Sequence, residues 1–212
     1  MSRPGRRAAG WTALAAGLGA LAAALVLSLL PARAPADAGT LPPPPAPPAA
    51  TTRSAAPTAA STAAARWTPR TVSIARLRVA APVDPAGVTG GGELGVPADP
   101  DRLGWWIGSA LPGDRRGTVL IAGHVDTARD GRGALYRLAD LPVGARIDVA
   151  AGDRTVGYRV VARRSYAKSR LPDALFRRDT APQLALVTCG GAFRDGAYER
   201  NVVVYAAPLS YP

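Results

Sequence analysis

The chain has 212 residues, 48% of them hydrophobic, with one cysteine, one histidine and a formal net charge of +11. That length supports one domain with a buried core plus appendages. A single cysteine excludes an internal disulfide, and one cysteine with one histidine excludes a closed zinc set. The charge does not mark a nucleic-acid binder. From Arg70 onward the chain carries 20 Arg and Lys against 14 Asp and Glu, a net +6, and no basic run is interleaved with aromatics.

Residues 1–10 form a basic flank, with Arg3, Arg6 and Arg7. Residues 11–30, Trp11 to Leu30, follow without a single charge. Twenty helical residues reach roughly 30 Å, the thickness of a bilayer's hydrocarbon core. Arginines before the span and Trp11 at its edge predict a cytoplasmic N-terminus and an exported remainder. A cleaved signal peptide is the competing reading, since Ala32–Ala34 and Ala36–Ala38 are A-x-A-like sites. The span exceeds the usual apolar region of about 7–15 residues, which favours an uncleaved anchor. Export also removes nucleic acid as a partner. Residues 31–69 are rich in Pro, Ala, Thr and Ser, including Pro42 to Pro45, and read as a disordered, extended spacer tens of ångströms long.

Residues 70–212 read as short strands separated by turn signals. Val72 to Val79 alternates, then meets Pro82, Pro85 and the glycines at 90–92. Thr118 to Ala122 is a compact apolar strand. Ala145 to Val149 and Val156 to Val161 flank a plausible hairpin turn at Ala151–Asp153. Gln183 to Thr188 and Asn201 to Ala206 complete the set. Gly133 to Leu141 and Asp173 to Arg178 look helical, and both are short. Many short strands with frequent Gly and Pro predict an all-β domain, a closed antiparallel barrel or a sandwich.

Three chemistry-bearing residues each lie at the end of a predicted strand. Cys189 closes the alternating run Leu184, Leu186, Thr188, just before Gly190 and Gly191. His124 follows the apolar strand, within Ala122 to Asp126. Arg200 stands at the mouth of the last strand. Singly, each has a bland reading: a core thiol, a surface imidazole, a solvated edge charge. Together they supply what acyl transfer to a thiol needs. A cation favours the thiolate, an imidazole moves protons, and a positive charge steadies the oxyanion.

The stretches that carry these residues resemble the sortases, cysteine transpeptidases of Gram-positive surfaces, and most closely their class F members from actinobacteria. Gly104 to Gly113 looks like the class F segment that leads into the histidine strand. Ala122 to Asp126 matches the histidine motif. Leu186 to Gly191 matches the cysteine motif with its two glycines, although Leu186 stands where many members have threonine. Arg200 to Ala206 matches the arginine strand, and the likeness covers Thr71 to Ala207.

The resemblance implies an eight-stranded β-barrel with one or two short helices. Cys189 would attack the Thr–Gly bond of an LPxTG-like sorting signal on a surface protein. An amine of peptidoglycan or its lipid-linked precursor would then take the acyl group. By the same resemblance His124 is the acid and base, and Arg200 holds the oxyanion or the substrate backbone. Arg194 is the rival arginine in the same loop. Thr188 is a candidate to orient thiol or substrate, and Asp126 either tunes the imidazole or caps a turn. Specificity is expected in loops such as Lys168 to Arg178. Trp105 and Trp106 either wall a groove or fill the core.

No cofactor and no metal is implied. The expected location is the outer face of the membrane, through the N-terminal helix. Two other readings stand beside this one. An L,D-transpeptidase would carry histidine and arginine close to the cysteine, which Thr188 to Gly191 lacks. A non-catalytic, tethered β-domain that binds envelope protein or glycan would have no use for an activated thiol.

Overall fold

The computed structural model describes residues 36–41, 67–90 and 93–209. The basic flank, the apolar span and most of the spacer lie outside the described residues. Eleven strands form in chain order among the described residues: β1 (Ala38–Gly39), β2 (Pro69–Ile74), β3 (Val79–Ala86), β4 (Leu103–Trp106), β5 (Thr118–Gly123), β6 (Asp126–Thr127), β7 (Gly131–Arg132), β8 (Arg146–Ala151), β9 (Arg154–Ala167), β10 (Gln183–Arg194) and β11 (Ala197–Pro208).

Eight of them close into a barrel. The order runs β9-β11-β10-β5-β4-β3-β2-β8, and β8 pairs back onto β9. Closure leaves these strands no open edge, which is how an all-β domain avoids edge pairing. Most neighbours are antiparallel, but β5 runs parallel to β10 and β3 runs parallel to β4. The barrel form of the all-β expectation is the one found.

Alternation along β10 sorts its side chains. Leu184 and Leu186 point into the barrel with Val204 and Ala206 of β11, joined there by Ile121, Ile147 and Val149. Ala185 and Val187 point outward, into a second apolar cluster with Leu120, Ala122, Leu175, Val203 and Tyr205. Both faces of β5 and β10 are therefore covered, which explains their near-continuous apolar sequences. The segment expected to be helical at 133–141 contains only one 3-10 turn, Leu138–Asp140. It supplies Leu135, Leu138 and Leu141, each fully buried, to the core. The second expected helix is likewise one 3-10 turn, Asp173–Phe176.

Two expected boundaries move. The run Val72 to Val79 is broken by a 3-10 turn at Ala75–Leu77, closed by Arg78 in the left-handed region at φ 57°. The chain then reverses, so β3 pairs with β2 and continues through Pro82 and Pro85, which read as turn signals in sequence. Likewise Gly190 and Gly191 do not end the cysteine strand. β10 passes through them, with a register shift between Gly190 and Phe193, to a two-residue turn at Asp195–Gly196. Positive φ at both turn residues, 50° and 79°, is what a two-residue hairpin of matching twist requires. Cys189 thus lies within a strand, and Arg200 lies inside β11 rather than at its mouth.

β1 falls in the stretch read as spacer. It pairs with β9 beyond the point where β8 leaves it, Ala38 opposite Arg163 and Gly39 opposite Ala162. Arg163 and Arg164 donate to the carbonyls of Ala36, Ala38 and Gly39. Leu41 packs on the outer cluster.

Candidate active site

On the outward face of β5, alternation places Leu120, Ala122 and then, one step past the strand, His124. The same face of β10 presents Val187 and Cys189, and that of β11 presents Asn201. These residues line one groove of about 520 Å³. Its walls come from two loops, with Leu94 and Val96 on one side and Lys168, Leu171 and Phe176 on the other. Phe176 is backed by the Trp106 ring, edge to face at 5.6 Å between centroids. Trp105 points the other way, buried in the barrel, and its Nε1 donates to the Ala110 carbonyl at 3.2 Å. The paired tryptophans therefore divide between wall support and core.

His124 and Cys189 are both brought to this groove. The Nε2 of His124 lies 3.0 Å from the Pro97 carbonyl. A carbonyl only accepts, so Nε2 carries the hydrogen, and in the neutral ring Nδ1 is the free base. Cys189 is partly exposed and unpaired. It also borders a second cleft of about 380 Å³, lined by Tyr136, Asp140, Gly190, Gly191 and Tyr198 among others. Thr188 and Cys189 line both concavities.

Thr188 turns inward and donates its hydroxyl to the Gly123 carbonyl at 2.8 Å. That bond ties the cysteine strand to the residue before His124. Among the described residues Asp126 makes no hydrogen bond to the imidazole and accepts none from a turn's backbone N–H. It sits in β6 and accepts the Tyr198 hydroxyl at 2.6 Å. This bond to a carboxylate, with burial and the carboxylate's charge adding to it, pushes the Tyr198 phenol up to about 12.

The two arginines part company. Arg194 is on the hairpin, ion-paired with Glu199 at 3.1 Å and largely exposed. Arg200 lies opposite Gly190 in the ladder, on the strand face opposite to that of Cys189 and Asn201. Its Nε donates to Ser165 Oγ at 2.7 Å and its Nη2 to the Ser165 carbonyl at 2.6 Å. The stem runs beside Gly191, where a Cβ would lie 3.0 Å from Arg200 Cγ. Neither arginine lines the groove.

A sortase-domain family model matches residues 72–209. The chain belongs to the sortase family. Solved sortases share its fold. Sortase A from Corynebacterium diphtheriae aligns at 22% identity and TM-score 0.53, over 69% of this chain and 63% of that one. Sortase C-1 from Actinomyces oris aligns at 17% and 0.52, over 66% and 73%. A Sortase D5 transpeptidase from Clostridium perfringens aligns at 18% and 0.50, over 68% and 79%. Comparison with curated proteins returns no match. Family membership replaces the L,D-transpeptidase reading.

Within this sortase Asn201 on the groove lining, Pro97 beside His124 and Ser165 beside Arg200 are residues that single positions in the sequence did not reveal. They matter through register and loop closure, and nothing in their immediate sequence marks them. The Lys168–Arg178 loop, expected to hold specificity, supplies Lys168, Leu171 and Phe176 to the wall.

Proposed function

We propose that this sortase is a cysteine transpeptidase of class F type, which cleaves an LPxTG-like sorting signal between Thr and Gly. The observation that carries the reading is a single groove, apolar along its floor, with the only cysteine and the only histidine of the chain on its lining. An extended peptide with apolar leading residues suits a floor of Leu120, Ala122 and Val187.

In this mechanism the Cys189 thiolate attacks the threonine carbonyl, forming the S–C bond. His124, protonated on both nitrogens and held by Pro97 through Nε2, delivers the Nδ1 proton to the departing glycine amine as the C–N bond breaks. The ring is then neutral. Nδ1 takes a proton from the incoming peptidoglycan or lipid-precursor amine as that nitrogen displaces the thiolate, and the cycle closes. The oxyanion role of Arg200 is carried by the resemblance alone, because its side chain lies on the strand face away from Cys189 and outside the groove. Nε and Nη2 are held by Ser165, and Nη1 makes no hydrogen bond among the described residues. The class F assignment rests on the sequence motifs at 104–113 and 186–191. The N-terminal span would hold the enzyme on the outer membrane face, beside surface proteins and cell-wall acceptors.

The test is intact mass of the full-length protein in detergent after incubation with an LPETG-type peptide, with and without hydroxylamine or triglycine. A thioacyl adduct on Cys189 and a threonine hydroxamate or ligated product are expected, both absent in Cys189→Ala. No adduct and no cleavage, with a slowly labelled thiol, would instead support a non-catalytic binding domain.

A further inference from the structure

Asn201 is the residue directly opposite Cys189 in the β10–β11 ladder. In an antiparallel pair such residues share a face, with Cβ atoms about 4.5–5.5 Å apart. The carboxamide therefore sits beside the sulfur, on the lining of the same groove. Asn201 is 8% exposed. Buried polar groups ordinarily have at least one partner, and Asn201 has one while the rest of its carboxamide faces the groove. Its Nδ2 donates to the Lys168 carbonyl at 3.2 Å, and that contact assigns nitrogen, not oxygen, to that side. Oδ1 makes no hydrogen bond among the described residues, and a second N–H is also unused.

A carboxamide held by one hydrogen and offering one acceptor and one donor is complementary to a single peptide unit. We infer that Asn201 is a substrate-positioning residue, which grips the backbone of the sorting signal next to the scissile carbonyl and holds that carbonyl over the Cys189 sulfur. The inference rests on the transpeptidase reading above and adds to it the atom pair that sets the peptide's register. Lys168 contributes through its main chain: its own N–H donates to the Glu199 carbonyl at 3.1 Å. The clamp is thus carried on backbone tied to the β11 strand.

Full-length Asn201→Ala and Asn201→Asp proteins test this, with two readouts: kcat/KM on an LPETG-type peptide, and the rate of Cys189 modification by methyl methanethiosulfonate, which has no peptide unit. Asn201→Ala is expected to lower kcat/KM by roughly tenfold or more, the scale of losing one or two well-placed hydrogen bonds, with thiol modification within about twofold of wild type. Asn201→Asp keeps the shape but sets a carboxylate beside the sulfur, so peptide turnover falls too and the pH profile of thiol modification moves to higher pH. Asn201→Ala turning over peptide at the wild-type rate overturns the inference and leaves the transpeptidase reading intact. So does a loss matched by an equal loss of thiol reactivity and melting temperature, since that marks a structural role. A wild-type protein that forms no thioacyl adduct overturns both.

Discussion

Ser165 holds Arg200 at two points, its hydroxyl on Nε and its carbonyl on Nη2. The same residue's N–H donates to Asp37 Oδ1 at 2.9 Å. One serine thus joins a strand of the barrel, the proposed oxyanion arginine and the segment just before β1. Ser165→Ala removes the hydroxyl bond and keeps the carbonyl one. A charge-assisted hydrogen bond contributes about 1.5–3 kcal/mol, partly regained by water here. Turnover should therefore drop by about 5–30-fold with KM little changed, measured by steady-state kinetics on the sorting peptide. Unchanged turnover would show that Ser165 does not position the guanidinium.

Gly191 allows the Arg200 stem to pass. Its φ is +81°, and a Cβ would press on Arg200 Cγ at 3.0 Å. Gly191→Ala combines backbone strain of about 1–2 kcal/mol with a displaced arginine, so stability and activity should fall together. Gly196 is the control: φ is +79° with nothing within 4 Å of a Cβ. Gly196→Ala should lose similar stability in urea titration and keep full activity. Equal activity in the two variants would separate Gly191 from the arginine.

The Tyr198–Asp126 bond predicts a pH signature. Folded Tyr198 ionises near about 12, against an ordinary value of 10.0. Between those values the unfolded chain has released this proton and the folded chain has not. The associated stabilisation is complete below pH 10, and it is lost as pH rises through about 12. Absorbance titration of the tyrosines should show this late transition, missing in Tyr198→Phe and moved back towards 10 in Asp126→Asn. A late transition that survives both substitutions would have to be assigned to the buried Tyr158 or Tyr205, which burial also raises.

Thr188 links β10 to the end of β5. Thr188→Val keeps the volume but removes the hydroxyl that donates to the Gly123 carbonyl, at a cost of about 1 kcal/mol. Thr188→Ser should restore most of it. A valine variant as stable as wild type by chemical denaturation would mean the bond contributes nothing net.

Sequence periodicity reached the parts of the fold where both strand faces are apolar, as in β5 and β10, and the hairpin at Gly152–Asp153. It missed β3 because Pro82 and Pro85 are local turn formers, kept extended here by pairing with β2 and β4. It stopped β10 too early because Gly190 and Gly191 resemble a strand end, whereas the smallness of Gly191 serves the passing Arg200 stem. At the site, His124 and Cys189 stood out by chemistry and uniqueness. Asn201 and Ser165 did not, because ladder register across three strands defines them, and register is a long-range property.

The pairing of β1 with β9 changes what the proline-rich stretch can do mechanically. Residues 42–66 run between two points fixed on the barrel, Leu41 on the outer cluster and Trp67 just ahead of β2, with the Arg154 guanidinium 3.4 Å over the Trp67 ring. Lengthening that segment alters only a closed loop, and doubling it costs about 0.6 kcal/mol of closure entropy. Residues inserted ahead of Ala36 instead add directly to the length of any tether. Two insertions of identical composition, one on each side of β1, would therefore act as a slack loop in one case and a longer leash in the other.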